Sequence, residues 1–293
     1  MRRQIINRDR LPADQAPPPG RVLEDGKVYI DYGPVSMVIM ADKDGSPLTD
    51  LCCQAFDIVD EGLREITASL DLLRLYPGRI PSRFLTGLPA KMLEAVLAAE
   101  EPTLTPMAAV AGAMSDLVAD WLFARGADRV SVNNGGDVAL RLAPGQKLNL
   151  GVLSSLASGQ VDLVVAIKAE DGVGGVATSG LGGRSFTRGI AQGVSVFSSR
   201  CVLADALATH LANTTYVPSP RVLTAKAGAL DPQSDIRDLE IVAAVDRLTR
   251  REERQALAQV KQEAYRQMRK GNLLAMIARV QDQTIQVNMP AAK

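Results

Sequence analysis

Two periods of apolar residues run along this chain and divide it into elements. Lys27–Tyr32 and Val35–Ala41 read as strands on either side of Gly33-Pro34, and the polar run Asp42-Lys43-Asp44-Gly45-Ser46-Pro47 reads as a turn. From Asp50 the period becomes helical: Leu51, Ala55, Ile58, Val59, Leu63, Ile66, Leu70 and Leu73 share one face, and Pro77-Gly78 stops the pattern. This strand–strand–helix unit has an apolar stripe suited to covering a sheet.

Pro89–Ala99 predicts a second helix. A third opens at Thr105-Pro106, with a hydroxyl expected at the N-cap and proline in the first turn. Its stretch Met107–Asp116 is dominated by small residues, so something packs close to its backbone. A helix or a sheet is the plain candidate and a bound ligand the sharper one. Arg129–Val132 and Val138–Leu142 then alternate polar and apolar and predict a hairpin. Further strands are expected at Asn149–Leu153, Val161–Ala169 and Gly193–Ser198. Between them, Asp171–Arg184 reads as a glycine-rich loop, with six glycines in the twelve residues Gly172–Gly183.

Cys201–Asn213 predicts a short helix with Leu203, Leu207 and Leu211 toward the core. Tyr216–Gln233 reads as a proline-bearing linker, and Leu239–Val245 as a strand. Thr249-Arg250-Arg251-Glu252 is a capping box opening a helix that runs to about Lys270, with Gly271 as its stop. Its interleaved Glu252, Glu253 and Glu263 make it a solvated face. Asn272–Val280 and Thr284–Val287 close the chain as strands.

Candidate chemistry gathers on three of these segments. Gly135 and Gly136 let the hairpin turn take positive φ and let a ligand approach, with Asn134 and Asp137 at its rim; a plain hairpin turn accounts for the same residues. The segment Thr178-Ser179-Gly180 sits in the glycine-rich stretch, whose backbone N–H groups could cradle an anion, although it fits no nucleotide-binding fingerprint. Asp205 and Thr209 lie four apart on their helix, so their oxygens share a face and suit a hard cation such as Mg2+; by itself such a pair is more often helix surface. Ser179 or Thr178 could serve as nucleophile or binding hydroxyl, with Asp137, Asp205 and His210 in acid–base roles. His210 adjoins Thr209 and points elsewhere, which favours a structural role.

Composition narrows the classes. Lys plus Arg and Asp plus Glu are both 33 in 293 residues, for zero formal net charge, so no nucleic-acid or anionic-membrane surface is indicated. Partners are expected to be small molecules or protein, homo-oligomers included. Three cysteines, Cys52, Cys53 and Cys201, form no CxxC pair and predict buried, reduced thiols. A single histidine excludes zinc sites built on several imidazoles. The N-terminus lacks the apolar core of a signal peptide, and no run of about 18 apolar residues follows, so the expected compartment is the cytoplasm. Residues 1 to about 22 are expected to be a flexible tail, and 23–293 one domain of two intertwined lobes.

Together, Asn133-Asn134-Gly135-Gly136-Asp137, Ala177-Thr178-Ser179-Gly180 and Ala204-Asp205-Ala206-Leu207-Ala208-Thr209 resemble, in order and spacing, the Asn-x-Gly-Gly-Asp, Ala-Thr-Ser-Gly and Ala-Asp-Ala-x-x-Thr motifs of the ApbE-like superfamily, whose founding activity is FAD:protein FMN transfer. Thr105–Asp116 and the loop Ser185–Gly189 match a poorly characterised branch of it more closely, over roughly Lys27 to Val287. The resemblance implies an α+β, T-fold-related architecture of mixed sheets flanked by helices, with a ligand cleft between two lobes. It implies Mg2+ on Asp205, Thr209 and a carbonyl around Ala109–Gly112. It also implies FAD beside Asn134, Gly135, Gly136, Thr178, Ser179 and Gly180, and FMN transfer or FAD hydrolysis as the reaction. A metabolic enzyme using a non-flavin molecule, or a non-catalytic ligand-binding protein, are the other readings. Where the transferases carry His-x-x-Asp-Pro, Phe186–Phe197 holds neither histidine nor Asp-Pro, and Ala111 stands where their small-residue helix has lysine.

Overall fold

The computed structural model describes residues 20–152, 161, 163–183 and 185–289. The expected tail up to residue 19, the expected strand end at Leu153 and the loop end at Arg184 lie outside them. In chain order the elements are β1 (Gly20–Val22), β2 (Val28–Tyr32), β3 (Val35–Lys43), β4 (Ser46–Pro47), α1 (Thr49–Ala68), α2 (Leu70–Leu73), α3 (Gly87–Ala99) and α4 (Val110–Phe123). There follow β5 (Arg129–Asn134), β6 (Asp137–Leu142), β7 (Lys147–Val152), β8 (Leu163–Lys168), β9 (Gly175–Ser179), β10 (Gly193–Ser198) and α5 (Cys201–Asn213). The chain continues through β11 (Val222–Lys226), α6 (Ala227–Leu230), β12 (Glu240–Val245), α7 (Arg250–Arg269), β13 (Ala275–Val280) and β14 (Gln283–Val287).

The protein is α+β. Among the described residues one large sheet runs β1-β2-β3-β5-β6-β9-β10-β13-β14, with β4 on β3, and β7–β8 and β11–β12 are separate hairpins. Pairing is antiparallel in every described ladder, down to β5–β6, where Asn134 stands opposite Asp137. Helices cover one face. On that side Met37, Ile39, Val130, Val132, Val194 and Val196 pack against residues such as Val59, Met114, Leu207 and Val260. On the other side Leu150, Val152, Val165 and Ile167 of the β7–β8 hairpin cover Leu140, Phe197 and Ile277. Strand alternation makes both layers: β10 is buried throughout, with Val194 and Val196 toward the helices and Phe197 toward the hairpin.

Four local expectations change. Gly20–Val22 pairs with β2, so ordered chain begins inside the stretch read as a tail. The first long helix breaks at Ser69, whose N–H returns to Ile66 O and Thr67 O, and resumes as α2. The glycine-rich loop contains strand β9, and the proline-bearing linker contains β11 and α6. In both cases the local composition reads as loop, while pairing with a strand distant in sequence decides the outcome. The capping box of α7 forms as expected, with Thr249 Oγ1 accepting from Glu252 N.

Candidate functional site

Close backbone packing sets the position of α5. Gly112 in α4 faces its first turn so tightly that a Cβ there would sit 2.4 Å from Cys201 O. From the sheet side, a Cβ on Gly175 would lie 2.2 Å from Cys201 Cα, and one on Gly174 2.1 Å from Ser199 O. The small-residue stretch of α4 is therefore, first of all, a helix–helix contact. The glycines leading into β9 serve close approach to α5. The same approach brings Gly112 N–H to Asp205 Oδ2, to which it donates at 2.9 Å. One turn along α4, Asp116 accepts from Val202 N at 2.9 Å, capping α5 from a neighbouring helix.

The β5–β6 turn reaches the same region. Gly135 and Gly136 take φ of 69° and 117°, and Gly136 N donates to Asn133 Oδ1 at 2.9 Å. Alternation along β5 places Asn134 on the helix face with Val130 and Val132. There its Oδ1 accepts from Ser36 N at 3.3 Å and its Nδ2 lies 3.5 Å from Ala111 O. Asp137 is its cross-strand partner, and Asp137 O accepts from Ser115 Oγ at 3.0 Å. The hairpin is thus tied to the start of α4 by both of its end residues.

In β9 the same alternation separates two hydroxyls. Ala177 belongs to the helix-side core, so Ser179, two residues on, shares its face. Thr178 is opposite Ser195 across the ladder, and their hydroxyls are 2.8 Å apart. Thr178 is occupied within the sheet; Ser179 is the hydroxyl offered to the helix side.

Two cavities open on this face. The larger, about 500 Å³, is bordered by Asn134, Gly135, Asp137, Thr178, Ser179, Gly180, Asp205 and Thr209. The smaller, about 320 Å³, contains Arg74, Thr103, Thr105, Phe186, Arg188, Asn213 and Asp235 in its wall. Both fall within the range of roughly 300–1,000 Å³ usual for small-molecule sites. Val110, Ala111, Asp137, Ser185, Asp205 and Thr209 border both, forming a shared waist. Four segments far apart in sequence converge on that waist: the start of α4, the start of β6, the loop at Ser185 and α5.

Electrostatics single out Asp205. Burial and the neighbouring Asp137 charge push its carboxyl well above the ordinary carboxylate range, and the N–H groups of Gly112 and Ala111 only partly offset them. Burial, with the Asp116, Asp137 and Asp205 charges, likewise raises the Cys201 thiol well above its usual value, leaving it an inert core group. All three cysteines are free, as expected. Among the described residues no group of three or more His, Cys, Asp or Glu is placed to hold a metal. The residues at the waist offer instead two carboxylates and the Thr209 and Ser185 hydroxyls, an oxygen set that fits a hard divalent cation. A cation there would also favour the ionised form of Asp205.

Most of the residues singled out from sequence meet at the larger cavity; Gly136 shapes its turn without bordering either cavity. His210 borders neither: it is buried on the far side of α5, with Nε2 2.9 Å from Glu263 Oε1. The hydroxyl of Thr105 caps no helix and donates instead to Asp235 Oδ2. Sequence reading named no role for Arg188, Ser185, Arg74 or Asp235. The first two lie in the Ser185–Gly189 segment already noted, where the lone arginine was the available signal; Arg74 comes from a segment read as a helix end, and Asp235 from residues left unassigned between the linker and the strand at Leu239.

Among the described residues no helix is long and apolar enough to cross a membrane. The family model described as AbpE bacteria matches residues 20–287. A UPF0280 protein of Methanothermobacter thermautotrophicus is 36% identical over 143 residues, 48% of this chain and 54% of that protein. A UPF0280 protein of Methanopyrus kandleri is 38% identical over 154 residues, 51% of this chain and 59% of that protein. The chain thus spans little more than half the length of these relatives. Among solved structures, the flavin transferase ApbE from Vibrio cholerae has a TM-score of 0.39 at 13% identity, covering 76% of this chain and 97% of that one. The apo flavinyl transferase ApbE from Pseudomonas stutzeri has a TM-score of 0.38 at 14% identity, covering 86% and 90%.

Proposed function

The chain belongs to the AbpE bacteria family, and from that membership we propose that it is a Mg2+-dependent enzyme that cleaves the pyrophosphate of a flavin dinucleotide, by FMN transfer or FAD hydrolysis. The observation that carries this reading is the waist, where Asp205, Thr209 and Asp137 border two cavities at once. A molecule with a pyrophosphate between two bulky halves matches such a site: one half in each cavity, the phosphates between.

Asp205 and Thr209 would hold the cation, with the Asp205 carboxylate fixed by Gly112 N–H. When bound, the cation neutralises phosphate oxygens and so favours departure of the AMP half. The turns at Gly135 and Gly180 admit the ligand close to backbone, and Ser179 offers a hydroxyl to the phosphates or the flavin half. Asp137 accepts the proton of the attacking hydroxyl as its oxygen bonds to the FMN phosphorus and the bond to the AMP phosphate breaks. With water as nucleophile, FAD and water give FMN and AMP; with a hydroxyl of a protein acceptor, FMN is transferred.

A second reading, a non-flavin substrate on the same scaffold, draws support from the walls. Phe186 is the one aromatic residue bordering either cavity among the described residues, so little surface is offered for stacking an isoalloxazine. Incubating the protein with FAD and Mg2+ and following FMN and AMP by chromatography tests the first reading. Absence of both turnover and FAD binding rejects it.

A further inference from the structure

The smaller cavity is bordered by an arginine that pairs with no carboxylate among the described residues. Arg188 is half-buried, and its one side-chain partner among the described residues is Thr103 Oγ1, to which Nη1 donates at 2.8 Å. Thr103 in turn gives its own hydroxyl proton to Glu101 Oε1 at 2.6 Å, so it can only accept from the guanidinium. This chain orients Arg188 without neutralising it. Its backbone is fixed as well: Arg188 N donates to Asn213 Oδ1 at 2.8 Å, and Gly189 lies so close to α5 that a Cβ would be 1.7 Å from Ala212 O. Arg129, Arg141, Arg200 and Arg266, by contrast, all pair with carboxylates.

A guanidinium carries five N–H donors in a planar fork. Fixed at the backbone, committed through one donor and bordering a cavity, Arg188 keeps the rest for whatever enters. Three of the acids bordering the same wall accept hydrogen bonds from other groups: Asp235 from Thr105, Asp231 from Gln233 N at 2.9 Å, and Asp205 from Gly112 N. We propose that Arg188 is the ligand-recognising residue of the smaller cavity and binds an oxyanion, phosphoryl or carboxylate, of the molecule that occupies it. The anion site stands on its own geometry; only its cooperation with a cation at Asp205, which would relieve repulsion from the waist, rests on the function proposed above.

The test uses calorimetric titration of the full chain with AMP, adenosine and glutarate, with and without Mg2+. AMP against adenosine isolates a phosphoryl group, and glutarate reports a carboxylate. The expected result is that at least one of the two anions binds more tightly than adenosine. Arg188→Gln should remove that margin, a roughly 10- to 100-fold loss for one charge-assisted contact, and Arg188→Lys should keep part of it. Thr103→Val, which frees the guanidinium but keeps its charge, should fall between and covers the case in which Arg188→Gln does not fold. The proposal is overturned if neither anion outbinds adenosine, or if Arg188→Gln and Thr103→Val bind both as the unmodified chain does. Asp205→Asn separates the two ideas: it should lower Mg2+-dependent FAD turnover by roughly 10²–10³-fold yet retain the anion margin in Mg2+-free buffer.

Discussion

Two pairs of aspartates flank the crossing of α4 and α5, and the fold treats them in opposite ways. Asp116 and Asp120 meet Arg141 at 2.7 Å each, and Asp120 also meets Arg200 at 2.5 Å. Burial works to raise Asp120, but the two arginines prevail and hold it below its ordinary value. Around Asp205 the sign reverses. Among the described residues no salt bridge reaches it; burial drives its carboxyl upward, and the Asp137 charge adds to this. A charge cluster paired within a helix crossing is structural, whereas a carboxylate buried beside a like charge and bordering a cavity is a candidate ligand-contacting group.

The largest expected effect is on the satisfied pair. Arg141→Met strands Asp116 without its closest cation, and chemical denaturation should show a loss of about 3–5 kcal/mol. Asp205→Asn should do the converse. The amide keeps an oxygen for Gly112 N–H and removes a strained charge, so the unfolding temperature should hold or rise, while Mg2+-dependent FMN release falls by roughly 10²–10³-fold, several kcal/mol of metal-assisted stabilisation. If Asp205→Asn unfolds the protein and Arg141→Met does not, the contrast is wrong.

Gly112→Ala tests whether the crossing itself matters to both pairs. The added methyl meets Cys201 O, so destabilisation of roughly 1–3 kcal/mol by thermal melt is expected, with weaker Mg2+ binding because the Asp205 contact opens. At the sheet, Thr178→Val should cost about 1 kcal/mol of stability through the lost Ser195 bond, with little change in turnover. Ser179→Ala should lower turnover with little change in stability. Equal effects of the two on turnover would remove the facing argument.

The smallest effect is in the pH profile. Asp120 has a depressed folded value, so its contribution is present above the ordinary 3.8 and is lost as pH falls through the folded value. Asp205 has a raised one, so its contribution is complete below 3.8 and fades as pH climbs through the folded value. Unfolding midpoints measured across pH should therefore decline on both sides. Asp205→Asn should remove only the alkaline-side decline, and Mg2+ should suppress it in the unmodified chain.

Much of this was legible beforehand. The Asn-Asn-Gly-Gly-Asp hairpin, helix Cys201–Asn213 and the capping box at Thr249 are local patterns with local causes, and they form where expected. The three motifs also sufficed to place the chain in the ApbE-like superfamily, and the family match extends across residues 20–287. Less legible was why the glycines are there. Gly112 stands in a stretch that reads as packing against a helix, a sheet or a ligand, and Gly174 and Gly175 in one that reads as an anion-binding loop; each is demanded by the backbone of Ser199–Cys201, a partner that no window of sequence contains.

Periodicity and turn chemistry, which act between neighbours in the chain, determined the elements, their order and the oxygen-bearing residues on offer. Only the tertiary structure decided which of those residues share a cavity. It turned the Thr178 hydroxyl into the sheet and Ser179 toward the helices, set Asp205 beside Asp137, and left Arg188 without a carboxylate partner among the described residues. The reason is that desolvation and charge proximity depend on distances across the fold, and residues 137 and 205 become neighbours only once β6 and α5 have packed against the same helix.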